Sequence, residues 1–187
     1  MSEKPSPSPW KILDSEYLIR RPWLTARRDR VELPDGRVNP EFYVLEYPSW
    51  VNIIARDRDG MYIMVEQYRH GLGVVEMELC AGVVEAGEEP LAAARRELKE
   101  ETGYTGGKWE LGTVICGNPS VTNNLTYCYI ARDVELTATQ HLDDVEDLVV
   151  RRITEEELYA LLTSDSMKQA LMTAPLWRYF ALGLNKR

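Results

Sequence analysis

The segment PLAAARRELKEETG, residues 90–103, is where the hydrophobic period of the chain changes from two to about 3.6. Ala, Leu, Glu, Lys and Arg are all good helix formers. Pro90 suits a first helical turn and Gly103 a C-terminal stop, so one helix is expected here. Strand-like runs flank it on both sides. Before it stand LTARRDRVEL and EFYVLEY within residues 15–49, then VNIIARD, MYIMVEQYR and GVVEMELCAGV. After it come ELGTVICG, NLTYCYIARDV and LVVRRI. Pro34-Asp35-Gly36 and the stretch from Asp57 to Gly60 carry turn residues, which predicts two hairpins. Two helices close the chain. The first starts at Thr154, with Glu157 completing a capping box. The second, MKQALMTAPLWRYFALGL, is expected to break or restart at Pro175. Strands around a single helix, with helices at the end, imply a mixed α/β sandwich.

Length and charge narrow the class. A chain of 187 residues suits one ordinary domain with a small appendage. Hydrophobic content of 44% with 28% charged residues is a soluble globular profile. No apolar run of about 18 residues predicts a membrane span, and MSEKPSPSPW has no apolar core of the signal-peptide kind. A cytoplasmic protein with no membrane partner is the expectation. Cys80, Cys116 and Cys128 show no paired spacing and sit in apolar surroundings, so three buried free thiols are expected. His70 and His141 are too few and too far apart in sequence for a Cys/His zinc site. The net charge of −8 disfavours a nucleic-acid surface, but it allows an anionic substrate if divalent cations supply positive charge.

On a helix, Glu97, Glu100 and Glu101 stand at i, i+3, i+4 and share one face. Leu91 and Leu98 lie on a neighbouring face that can pack on a sheet. A like-charge i,i+4 pair costs about 0.2–0.5 kcal/mol in a helix. Glu88 adds a further carboxylate just before the helix, and Arg96 can orient or neutralise one of them. Oxygen clusters of this kind suit Mg²⁺ or Mn²⁺. A solvated helix face is the competing reading.

The whole segment 82–104 reads G-x5-E-x7-R-E-L-x-E-E-x-G-Y, through Gly82, Glu88, Arg96, Glu97, Leu98, Glu100, Glu101, Gly103 and Tyr104. This pattern resembles the Nudix hydrolase box, with tyrosine where an aliphatic residue usually closes it. The resemblance implies a Nudix-type α/β/α sandwich with a mixed sheet, together with a small N-terminal antiparallel β element. It also implies hydrolysis of a nucleoside diphosphate linked to another moiety. By position, Glu97 and Glu101 would be the principal metal ligands, with Glu100 a further ligand or water-organising group. Glu88 would be a supporting carboxylate, and the backbone carbonyl of Ala81 a further ligand for Mg²⁺ or Mn²⁺. Arg96 and Glu100 count among the catalytic candidates.

Features outside the box bear on the branch of the family. ELCAGVVEAGE, residues 78–88, is similar to the lead-in of ADP-ribose pyrophosphatase-like enzymes. Glu66-Gln67-Tyr68-Arg69 resembles their QYR segment, which implies contact between Arg69 and the substrate diphosphate; a surface ion pair is the plainer reading. The acidic run LDDVEDLVV implies a general base or metal ligand at Glu146, with Asp144 the alternative, and a solvated loop is the rival. Pro119 lies where a proline accompanies ADP-ribose hydrolysis in the family, though a turn explains it equally. Trp23 and Trp50 are candidates to stack on a nucleobase or to pack, and Trp10 and Trp177 read as core or interface residues. The expected layout is a flexible tail at 1–9, a β extension at 10–48 that dimerises the chain, and a catalytic domain at 49–187. The expected activity is metal-dependent cleavage of an ADP-ribose-like nucleoside diphosphate sugar to a nucleoside monophosphate and a sugar phosphate. Another nucleotide sugar such as GDP-mannose, or a non-catalytic nucleotide-binding module, is the alternative.

Overall fold

The computed structural model describes residues 6–142 and 146–186. Part of the expected tail, at residues 1–5, lies outside them. The chain divides into two compact units: residues up to Tyr47 with Asn118–Asn124, and Pro48–Gly117 with the residues from Leu125 onward.

The first unit is a three-stranded antiparallel sheet of β1 (Lys11–Arg21), β2 (Leu24–Glu32) and β3 (Val38–Glu46), in that order. The sequence predicts only β2 and β3 here. β1 is exposed along nearly its whole length, so it carries no inside–outside alternation to read. Its pairing with β2 holds it instead, helped by the Ser15 hydroxyl donating to Asp29 at 2.6 Å. The predicted turn is present, with Gly36 at φ 83°, a value favoured by glycine. The Leu45 N–H donates to the Val121 carbonyl at 2.7 Å, which ties 118–124 to β3. Trp10 lies edge-on to Phe42 and remains half exposed, so it is not a core residue.

The second unit holds β4 (Trp50–Asp57), β5 (Tyr62–Arg69), β6 (Val74–Val83), α1 (Pro90–Thr102), β7 (Tyr104–Ile115), β8 (Thr126–Leu136), β9 (Leu148–Ile153), α2 (Glu155–Thr163) and α3 (Ala170–Ala181). Its strands form one sheet in the order β7-β8-β4-β6-β5-β9. β4 and β8 run parallel and the other neighbours antiparallel. Alternation along β4 assigns the two faces. Val51, Ile53 and Ala55 pack with Ala93, Ala94 and Leu98 of α1. Ile54 packs with Leu158 and Leu162 of α2 and with Met172 and Leu176 of α3. The result is the expected α/β/α sandwich with a mixed sheet. Cys80 and Cys128 are buried as expected, whereas Cys116 is half-buried. Trp177, like Trp10, is half exposed rather than core.

α3 departs from expectation, because Pro175 sits inside a continuous helix and is itself buried. A proline has no N–H for the carbonyl four residues back, which here is Leu171. That carbonyl accepts a hydrogen bond at 2.6 Å from Nδ2 of Asn52 on β4 instead. The partner lost within the helix is replaced from the sheet, so Pro175 does not end the helix.

Candidate active site

The last residues of β6 and the buried face of α1 meet around one arginine. Arg96 donates from Nε and Nη2 to Glu88 at 3.0 and 2.9 Å, and from Nη1 to Glu97 at 2.8 Å and Glu100 at 3.1 Å. Its Nη2 also reaches the Val83 carbonyl at 3.0 Å, which fastens α1 to the end of β6. Four carboxylate and carbonyl partners hold the guanidinium firmly cationic. In return, the hydrogen bonds from Arg96 hold the Glu88 carboxyl below its ordinary range.

Glu97 and Glu101 are 9% and 4% exposed, which excludes a merely solvated face for these two. Burial pushes Glu97 up, against the opposing pull of Arg96. Burial pushes Glu101 up to about 8, although the Cys80 thiol and the Ala81 N–H, the latter at 3.1 Å, hydrogen-bond to it. The charge of Glu146 adds a smaller upward push to both. The segment leading to it is fixed to the end of α1. Gln140 Nε2 donates to the Glu101 carbonyl and the His141 N–H to the Glu100 carbonyl, each at 2.8 Å. Asp144 lies outside the described residues.

Gly82 is needed for close approach. A Cβ there would overlap the Glu97 carboxylate, so only glycine leaves room for that group against β6. Among the described residues, no three His, Cys, Asp or Glu side chains already converge as a metal cage. The donors nevertheless fit a hard divalent cation. Of the two buried carboxylates only Glu97 is paired with Arg96, Gly82 leaves room for the Glu97 carboxylate, and carboxylate oxygens are the donors such a cation takes.

A cavity of about 150 Å³ adjoins this strand end, bordered by Trp50, Asn52, Arg69, Ala81, Gln169 and Leu171 among others. Two of the sequence candidates, Arg69 and Trp50, thus meet at one cavity together with Ala81. Arg69 is engaged in a bidentate pair with Glu78, which is 1% exposed, through Nε at 2.8 Å and Nη2 at 2.5 Å. An ion pair is therefore present, with a buried partner rather than a surface one. Trp23 lies in the turn between β1 and β2, 69% exposed, within the N-terminal unit. Sequence reasoning missed Asn52, Gln169 and Leu171. The available signal was the lone amide in the apolar run WVNIIA; the other two come from a loop and a helix distant in sequence.

Comparison with known proteins places this geometry. Residues 10–45 match the nucleoside diphosphate sugar hydrolase N-terminal domain, and residues 46–174 match the NUDIX domain. An ADP-ribose pyrophosphatase of Bacillus subtilis (strain 168) is 33% identical over 141 residues, spanning 75% of this chain and 76% of that protein. A methanol dehydrogenase activator of Bacillus methanolicus is 30% identical over 152 residues, 80% of this chain and 82% of its own length. The crystal structure of an ADP compounds hydrolase superposes with a TM-score of 0.84 at 22% identity, covering 98% of both chains, a likeness of fold. With its box closed around Arg96 and its second unit matched nearly end to end, the chain belongs to the Nudix hydrolase family, as a pyrophosphatase preceded by the N-terminal domain of nucleoside diphosphate sugar hydrolases.

Proposed function

We propose that this protein hydrolyses the diphosphate linkage of an ADP-ribose-like nucleoside diphosphate sugar, releasing a nucleoside monophosphate and a sugar phosphate. The observation that carries this reading is the meeting of Glu97, Glu101 and Ala81 at a strand end that also borders the cavity of Arg69 and Trp50. The names of the relatives support the ADP-ribose-like class, since one such protein is an ADP-ribose pyrophosphatase. Intact, buried carboxylates argue against a non-catalytic binding module, which has no use for groups that repel one another.

Glu97, Glu101, Glu100, Glu88 and the Ala81 carbonyl would hold Mg²⁺ or Mn²⁺. When bound, the cation supplies charge neutralisation for the diphosphate and lowers the pKa of an attacking water. The protein's own groups account for the remaining work. Arg96 holds three of the carboxylates in register. Arg69, pre-oriented by Glu78 through Nε and Nη2, keeps Nη1 for a phosphate oxygen. Glu146 accepts the proton of the attacking water. The water oxygen bonds to phosphorus as the bridging P–O bond breaks, and the two phosphates leave as separate products. Trp50 offers a flat apolar wall to the sugar or base, as Trp23 would if the N-terminal strands of a homodimer bring it to a site.

The test is release of monophosphate from a panel of nucleotide sugars and dinucleotides in Mg²⁺ or Mn²⁺, with Glu101→Gln in parallel. We expect ADP-ribose among the best substrates and a loss of at least about 10²-fold in Glu101→Gln. Wild type inactive on every nucleotide sugar would sink the function. A fully active Glu101→Gln would sink the assignment of Glu101.

A further inference from the structure

A groove of about 420 Å³ lies between α2 and α3, lined by Glu155, Glu156, Tyr159, Trp177, Phe180 and Lys186 among others. It shares no lining residue with the cavity of Arg69 and Trp50. Glu155, Glu156 and Tyr159 stand at i, i+1, i+4 of α2, and Trp177, Phe180 and Ala181 at i, i+3, i+4 of α3. Each set therefore occupies one side of its helix, the side turned to the groove. The rings form a connected cluster. Tyr159 meets Trp177 at 6.3 Å between centroids and Phe180 at 5.4 Å, both edge-on. Tyr159 and Trp177 nevertheless remain half exposed, so aromatic surface is left for a ligand.

The carboxylates say what kind of ligand. Glu155 accepts from the Tyr62 hydroxyl at 3.0 Å and from Asn185 Nδ2 at 2.8 Å, two neutral donors that hold it in place without offsetting its charge. Neither Glu155 nor Glu156 forms an ion pair among the described residues. Against these two, Lys186 brings a single ammonium, so the lining is anionic. An aromatic ring draws a cation to its face, and a carboxylate adds a Coulombic attraction. An anionic ligand is repelled here, and a neutral apolar one leaves the carboxylates unused. A hydrated metal ion has no use for the rings. We propose that this groove binds a small organic cation of the alkylated ammonium class, its methyl groups against Trp177 and Tyr159 and its charge beside Glu155 and Glu156. The site is separate from that of hydrolysis and does not rest on the substrate named above.

The test is calorimetric titration of the full chain with choline and with its uncharged isostere, in which carbon replaces the nitrogen, at constant ionic strength. Choline is expected to bind saturably with a Kd of about 1 mM, and the isostere roughly 10-fold more weakly. Trp177→Leu removes the ring but keeps an apolar side chain, and Glu156→Gln removes the charge but keeps the shape. Each is expected to weaken choline by roughly 3- to 10-fold, with Glu156→Gln leaving the isostere unchanged. Lys186→Ala is expected to tighten choline. Equal binding of choline and the isostere would overturn the proposal, as would the lack of saturable choline binding. Choline affinity unaltered in both variants would place the cation elsewhere and overturn it too. If Trp177→Leu folds poorly, the exposed Glu156→Gln position carries the comparison alone. All readouts are of binding, so an inactive enzyme would sink the proposed function and leave this inference standing.

Discussion

Glu97 occupies space that a single methyl group at residue 82 would remove. Gly82 is not in the left-handed region, so its backbone accepts alanine and the conflict falls on the carboxylate alone. We therefore expect Gly82→Ala to fold with a near-normal melting temperature while kcat/KM falls by about 10²-fold, as for a reacting group displaced by an ångström. Kinetics alongside a thermal melt checks this; unchanged activity would mean that Glu97 does no work where it stands. The box pattern in the sequence names both residues, but only the packing explains why one must be glycine. The same holds for Arg69. Its place after a strand is visible in the sequence, whereas its buried partner Glu78 emerges only when β5 and β6 pair.

Helices α2 and α3 illustrate two ways in which an element is stabilised. At the start of α2 the Glu157 N–H donates to the Thr154 hydroxyl at 3.1 Å, and the Glu157 carboxylate accepts from the Thr154 N–H at 2.7 Å. The backbone and hydroxyl of Thr154 hold the Glu157 carboxyl below its ordinary value. A lowered folded-state pKa contributes stability that is present above the unfolded carboxylate value and lost as pH falls through the folded one. Thr154→Ala is expected to cost about 0.5–2 kcal/mol at neutral pH, in line with N-cap substitutions. The gap from wild type should narrow in acid, below the usual carboxylate range, in denaturant titrations at several pH values. A gap independent of pH would assign the whole effect to the hydroxyl.

α3 depends on the sheet. Asn52→Ala leaves the Leu171 carbonyl without its donor, because residue 175 cannot provide one. A loss of about 1–3 kcal/mol is expected for that buried group. Pro175→Ala should recover more stability in the Asn52→Ala background than in wild type, since only there is the new helical N–H needed. A double-mutant cycle measures this coupling, and strict additivity would show that the two residues do not share the carbonyl.

At the scale of the molecule, the net charge of −8 and the buried carboxylates Glu97 and Glu101 of α1 oppose binding of an anionic substrate without added cations. Millimolar Mg²⁺ or Mn²⁺ should raise the melting temperature of wild type. Saturation at 100 times Kd corresponds to about 2.7 kcal/mol. Glu97→Gln/Glu101→Gln should abolish most of the shift, and a chelator should stop hydrolysis. An equal thermal shift in the double variant would place the cation elsewhere.

By itself the sequence determined the class of fold, the box, its carboxylates and the family, because helix caps, turn residues and fixed spacings are local and survive in a linear string. β1 was not legible, since an exposed strand lacks alternation and is defined by its partner. Nor was the continuity of α3 through Pro175, since the missing hydrogen bond is replaced from β4, more than a hundred residues earlier. The box stretch RRELKEETG showed carboxylates on one face of a helix, yet not that Arg96 joins two of them, Glu97 and Glu100, to Glu88. Tertiary structure decided the cavity, whose walls come from β4, β5, β6, β8, α3 and the loop before it. A cavity is a property of surfaces brought together by long-range packing, and no window of sequence contains it.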